Sequence, residues 1–123
     1  MFQLIHAVFL QVPIRQRNIT ELIYSIRCID VINEKDTVIQ MARCSFDAHI
    51  LDIIGSLMIG STIVMLHPGG TMDFNYLSVV LQEKQITCMD TVPSLYNSLC
   101  TFFKDGIYQN TTKHLRSLIS AGM

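Results

Sequence analysis

The sequence predicts an α/β fold in which helices alternate with the strands of a largely parallel sheet. Short runs rich in β-branched and apolar residues, TVIQMARCSF, TIVML, ITCMDTV and LRSLISA, recur along the chain and suit buried strands. Between them lie segments of about ten to fourteen residues with helical spacing, the pattern that requires crossover connections and parallel pairing. The stretch SFDAHILDIIGSLMIGSTIVML joins a carboxylate, an apolar helix, a Gly-Ser break and a strand, and so supplies half of a βαβ unit by itself.

The elements follow in order. After Pro13, a basic patch of Arg15, Arg17 and Arg27 surrounds NITELIYSI, a helix that Asn18 or Thr20 can cap and whose apolar face is Leu22, Ile23 and Ile26. Glu34, Lys35 and Asp36 form a polar turn, and the strand after it is expected to end near Ser45. In the helix after Asp47, only His49, Asp52 and Ser56 interrupt a run of apolar residues, so burial on most sides is expected. TIVML then enters His67-Pro68-Gly69-Gly70, a turn in which proline blocks the strand and glycine supplies unusual backbone angles. Asp73 caps FNYLSVVLQEKQ, with Phe74, Leu77, Val80 and Leu81 on one face. The strand ITCMDTV follows, then a helix opened by Pro93 or Ser94 and closed near Lys104-Asp105-Gly106. A polar loop from Ile107 to Lys113 leads to the last strand.

Composition narrows the function. At 123 residues the chain holds one domain or a piece of one; half of it is apolar, 15% is charged and the net charge is −1, which argues against nucleic-acid binding. Cys28, Cys44, Cys88 and Cys100 form no C-x-x-C, so a zinc site or disulfide framework is not indicated, and reduced, mostly buried thiols in a cytoplasmic protein are expected. The apolar start, MFQLIHAVFLQV, lacks the basic flank and cleavage site of a signal peptide. The uncharged window from Ile53 to Met72 approaches the length of a membrane span, but Gly60, Pro68, Gly69 and Gly70 break it into a helix, a strand and a turn.

In open parallel sheets, ligands bind outside the carboxyl ends of the strands. Here those ends are Ser45 to Asp47, His67 to Gly70, Asp90 to Pro93 and Ser120 to Met123. Asp47 can cap backbone N–H groups or face a ligand ammonium group, and pattern alone favours the cap. His49 has no second metal ligand at i+4 and reads as structural. HPGG lacks the Lys and Ser/Thr of a phosphate-binding loop, and G-x-G-x-x-G is absent. Thr91-Val92-Pro93 is either a strand-end turn or a pocket wall. Ser120-Ala121-Gly122 permits close approach of a ligand or of another backbone. The seven methionines and the tyrosines read as packing.

The ordered set of RNIT before a helix, SFDAHILDIIGSLMIGSTIVML, a helix from Asp73, ITCMDTVPSLYNSL and LRSLISAG resembles the amino-acid-activating adenylation domains of nonribosomal peptide synthetases, members of the AMP-forming ligase superfamily. The resemblance covers residues 17–122 and leaves 1–16 as an atypical N-terminal segment. It implies part of the large N-terminal subdomain of an enzyme that uses ATP and Mg2+ to convert an amino acid or other small carboxylate to an acyl-AMP and then passes the acyl group to a thiol. It also implies that Asp47 holds the substrate α-amino group, that Ala48, Leu51, Thr91, Ile119 and Ala121 line a mostly apolar side-chain pocket, and that Gly122 begins the adenine-binding strand end. The partners implied are a C-terminal subdomain and a carrier-protein domain.

The sequence departs from that family in several places. MFQLIHAVFLQVPIR replaces the glycine-rich phosphate loop, and Gln16 stands where histidine is expected. The aromatic and Thr-Glu residues that meet adenine and magnesium, the ribose-binding Asp and the catalytic Lys would all follow Met123. These groups act together rather than additively, so the chain alone is expected to be inactive. A non-catalytic binding module on the same sheet is the alternative, and a membrane-associated protein using Ile53 to Leu66 is a third reading.

Overall fold

The computed structural model of the protein describes residues 13–44, 47–104 and 110–120. The first helix among the described residues, α1 (Gln16–Cys28), begins earlier than the expected caps. Arg15 is its N-cap, and Asn18, at the third helical position, accepts the Arg15 backbone N–H at 3.1 Å. Thr20 lies inside the helix and donates its hydroxyl to the Gln16 carbonyl. Ile19, Ile23 and Ile26 face the core, whereas Leu22 stays largely exposed.

Strand β1 (Thr37–Gln40) stops well short of Ser45. The backbone N–H groups of Met41 and Ala42 both donate to Oδ2 of Asp52, at 3.2 and 3.1 Å, and so leave the ladder. The helix that follows is composite: α2 (Ala48–Ile50), a π-helical turn (Leu51–Gly55) and α3 (Ser56–Ile59). Its burial inverts the expectation. Asp52 and Ser56 are buried, while Ile54, Leu57 and Met58 are exposed, because Asp52 must turn inward to cap the end of β1. Gly60, in the left-handed region at φ 90°, ends α3.

Strand β2 (Thr62–Met65) runs to the His67–Gly70 turn, closed by a 2.9 Å bond from the Gly70 N–H to the His67 carbonyl. In helix α4 (Phe74–Glu83), Asp73 accepts the Tyr76 N–H at 3.1 Å, as its position before the helix predicts. Strand β3 (Cys88–Thr91), helix α5 (Pro93–Phe103) and strand β4 (Ser117–Ser120) complete the described chain. Pro93 opens α5, where its missing N–H costs nothing.

The four strands form one all-parallel sheet in the order β2-β1-β3-β4. The connection out of β1 leads to one neighbour, β2, and the connection out of β3 leads away to β4. The seam between β1 and β3 is therefore the point where chain direction across the sheet reverses. Alternation divides the core between the two faces. Val38 and Cys88 pack with Ile23, Ile32 and Ile59 on the α1 side. Ile39 and Met89 pack with Leu77, Leu81 and Leu99 on the α4 and α5 side. The window from Ile53 to Met72 is broken as the sequence predicts, and among the described residues no helix is long and apolar enough to cross a membrane.

Asp36, expected in a polar turn, is only 3% exposed. Its carboxylate accepts hydrogen bonds from the Arg116 guanidinium, from the Thr87 hydroxyl at 2.7 Å and from the Asn33 N–H at 2.8 Å. Arg116 also donates to the Asp30 and Val31 carbonyls at 2.7 and 3.1 Å. Burial pushes the Asp36 carboxyl upward, but the bonds from Arg116, Asn33 and Thr87 outweigh it and hold the pKa below 3.8. The stability this group adds is present above that pH and is lost as pH falls through the lowered value. Replacing Asp36 with Ala strands part of the Arg116 charge and two donors, and should lower the unfolding free energy in urea titrations at pH 7 by about 3 kcal/mol.

Candidate functional site

At the carboxyl ends of β1, β3 and β4, on the α1 side of the sheet, lies a cleft of about 410 Å³. Such clefts form where the strand order reverses, because the two outgoing connections part there and leave the strand ends uncovered. Asp47, Ala48 and Leu51 form one wall, β3 and β4 contribute Asp90 and Ile119, and α1 closes the opposite side with Ile19, Leu22 and Asn18 among others. Among the described residues the lining has no Lys, Arg or His, and its surface is chiefly apolar.

Asp47 is exposed at the start of α2, and its Oδ1 accepts the Ala48 N–H at 2.9 Å. Capping and cleft lining are thus combined in one carboxylate, since the second oxygen is free of that bond. Leu51 sits one helical turn on, in the π-helical segment, where extra residues per turn are common at functional sites. Ile119 is paired in register with Asp90, so the two side chains share one face of the sheet.

The family resemblance implies that Thr91 lines the pocket wall, and the geometry differs. With a period of two, Cys88 and Asp90 face α1, whereas Met89 and Thr91 face α4 and α5. Thr91 does not line the cleft; it is buried and its hydroxyl has no partner among the described residues. Asp90, one position earlier, lines it instead. Ala121 and Gly122 lie outside the described residues. A period of two pairs Asp90 with Cys88 and Thr91 with Met89, but all four residues of β3 are buried, so the strand alone carries no signal for which pair meets the cleft.

Asp90 is 7% exposed. Burial, with the nearby carboxylates of Asp52 and Asp47, pushes its pKa up to about 6. Asp52 is also raised by burial, although the Ala42 and Met41 N–H groups partly offset the rise. Cys88, below Asp90 on the same face, is pushed up by burial to about 12 and is an inert thiol. Cys28 and Cys44, in contrast to the expected burial, are exposed, and neither forms a disulfide. His49 is half-buried, its Nδ1 lying 3.3 Å from the Ala42 carbonyl oxygen, in keeping with a structural role. His67 packs on Tyr76 in the turn, with ring centroids 3.9 Å apart. Among the described residues no group of three or more His, Cys, Asp and Glu side chains is placed to hold a metal ion.

Comparison with known proteins gives one consistent result. A family model described as "AMP-binding enzyme" matches residues 11–123. The chain is 25% identical over 91 residues, 74% of its length, to bacitracin synthase 1 of Bacillus licheniformis, covering 2% of that protein. It is 31% identical over 88 residues, 72% of its length, to tyrocidine synthase 3 of Brevibacillus parabrevis, covering 1% of that protein. Among solved structures, the nonribosomal peptide synthetase FmoA3 in its alpha-methyl-L-serine-AMP bound form superposes with a TM-score of 0.79 at 20% identity, over 88% of this chain and 12% of that one. CmiS6 superposes with a TM-score of 0.70 at 25% identity, over 83% of this chain and 24% of that one. The chain therefore spans only a small part of the proteins it matches.

The raised pKa of Asp90 has a stability consequence. Below pH 3.8 the group is protonated in both the folded and unfolded states and costs nothing; as pH rises through about 6 the folded state must give up the proton in a buried site. Asp90→Asn should therefore stabilise the protein at pH 7.5 by about 2 kcal/mol, an advantage that shrinks to nothing near pH 4. Parallel urea titrations of both proteins across that range measure the difference.

Proposed function

The chain belongs to the AMP-binding enzyme family, and from that premise we propose that it carries the amino-acid site of an adenylating ligase. The observation that supports this most is the meeting of Asp47, Ala48, Leu51 and Ile119 in one largely apolar cleft at the strand ends, with no basic side chain among the described residues of its lining. An ammonium group entering the cleft gains a charge-assisted hydrogen bond to Asp47, strengthened by the apolar surroundings. The substrate's own carboxylate is then left without a competing cation in the cleft and free to react.

In the complete reaction that carboxylate attacks the α-phosphate of ATP, the bond to pyrophosphate breaks, and an aminoacyl-AMP forms. A thiol then attacks the acyl carbon, giving a thioester and releasing AMP. The residues of this chain contribute binding and orientation of the amino acid. Magnesium in such chemistry rests largely on the phosphates and one or two carboxylates, and no group of described residues is placed to hold it alone.

The folded chain should accordingly bind free α-amino acids without releasing pyrophosphate from ATP. Asp47→Ala should weaken that binding by about tenfold or more, the worth of a hydrogen bond to a charged group, and should cost about 1 kcal/mol of stability through the lost cap on the Ala48 N–H. Ligand-observed NMR titration measures the affinity. A folded chain that binds no amino acid, or binds equally well without Asp47, would overturn the reading.

A further inference from the structure

Among the described residues three aspartates are buried, and two of them are satisfied from within. Asp36 has Arg116, Thr87 and Asn33. Asp52 has the N–H groups of Met41 and Ala42. Asp90, more than nine-tenths buried, receives no hydrogen bond from any described residue and lines the cleft that also contains Asp47. Its oxygens are not among the fully enclosed polar atoms that lack a partner, so they open onto the cleft, where water or a ligand must supply the missing donor.

The surroundings indicate what that partner is. Neither Asp47 nor Asp90 is balanced by a cation among the described residues of the lining, so the cleft presents two negative charges. Between and around them are hydrocarbon side chains, Leu51, Ile119, Ile19 and Leu22 among them, which suit methylene groups rather than further polar atoms. Resting on the amino-acid site proposed above, we propose that Asp90 makes this cleft selective for diamino acids, whose α-ammonium group meets Asp47 while the side-chain ammonium group meets Asp90. The methylenes joining the two ammonium groups lie along the apolar wall. Such a ligand neutralises both carboxylates at once, whereas an apolar amino acid leaves Asp90 desolvated and unpaired. Discrimination built on a buried polar group is strong because the wrong ligand forfeits the bond and still incurs the desolvation.

The test compares pairs that differ only in the terminal ammonium group. L-ornithine against L-norvaline and L-lysine against L-norleucine are titrated into the whole chain by NMR, with Asp90→Asn and Asp47→Ala alongside. In at least one pair the diamino acid should bind about tenfold or more tightly than its partner. Asp90→Asn, which is expected to fold at least as stably as the natural chain, should erase that preference and leave norvaline or norleucine within about twofold. Asp47→Ala should weaken all four ligands. If norvaline and norleucine bind as well as ornithine and lysine in an Asp47-dependent manner, the selectivity is overturned while the amino-acid site stands. A preference that survives in Asp90→Asn overturns the role of Asp90. If none of the four binds to the folded chain, the amino-acid site falls and the selectivity with it.

Discussion

The hydrogen-bonded pair of Asp36 and Arg116 is the constraint on which the rest of the sheet depends. Asp36 lies just before β1, Thr87 just before β3 and Arg116 just before β4, and one carboxylate joins all three. The Thr87 hydroxyl donates to Asp36 and accepts the Thr37 N–H at 2.9 Å, so the contact extends into the backbone of β1. Three strands are thereby aligned at their amino ends. Because side chains alternate with a period of two, a slip of one residue would exchange Asp90 for Thr91 and Ile119 for Ser120 on the cleft face. A polar cluster at one end of the sheet thus decides which residues appear at the other.

The three buried aspartates show how one residue type serves three purposes. Asp36, bonded by a cation, a hydroxyl and a backbone N–H, is pulled below the ordinary carboxylate range and supports the fold. Asp52 ends β1 by taking two backbone N–H groups, and in doing so turns the composite helix so that Ile54, Leu57 and Met58 face outward. Asp90 has no such compensation and rises to about 6. Stability given up at the cleft is offset elsewhere in the fold, and cleft and scaffold are built from the same side chain.

Much of the architecture was legible from the residues. Asp73, Pro93 and Gly60 mark helix ends through capping chemistry and backbone freedom, which are local properties, and the strand cores TIVM and CMDT lie where their β-branched or apolar character puts them. The family was legible too, from the order of motifs across the chain, and the matching residues 11–123 bear it out. Hydrophobicity alone predicts that the helix after Asp47 is buried on most sides, yet Ile54, Leu57 and Met58 are exposed. Its hydrophobicity is a local quantity, but which side faces inward depends on Asp52 reaching the end of β1, ten residues away. Local pattern puts Asp36 in a turn and Arg116 in a strand, because a partner 80 positions distant leaves no periodic trace.

The sequence by itself determined the alternation of helices and strands, the parallel sheet and the carboxylate at the start of the helix after β1. These follow from capping, turn chemistry and hydrophobic period, all of which act over a few residues. Tertiary structure decided which face of β3 meets the cleft, and with it the choice of Asp90 over Thr91. That choice depends on strand register, and register is set by contacts between segments that only the folded chain brings together.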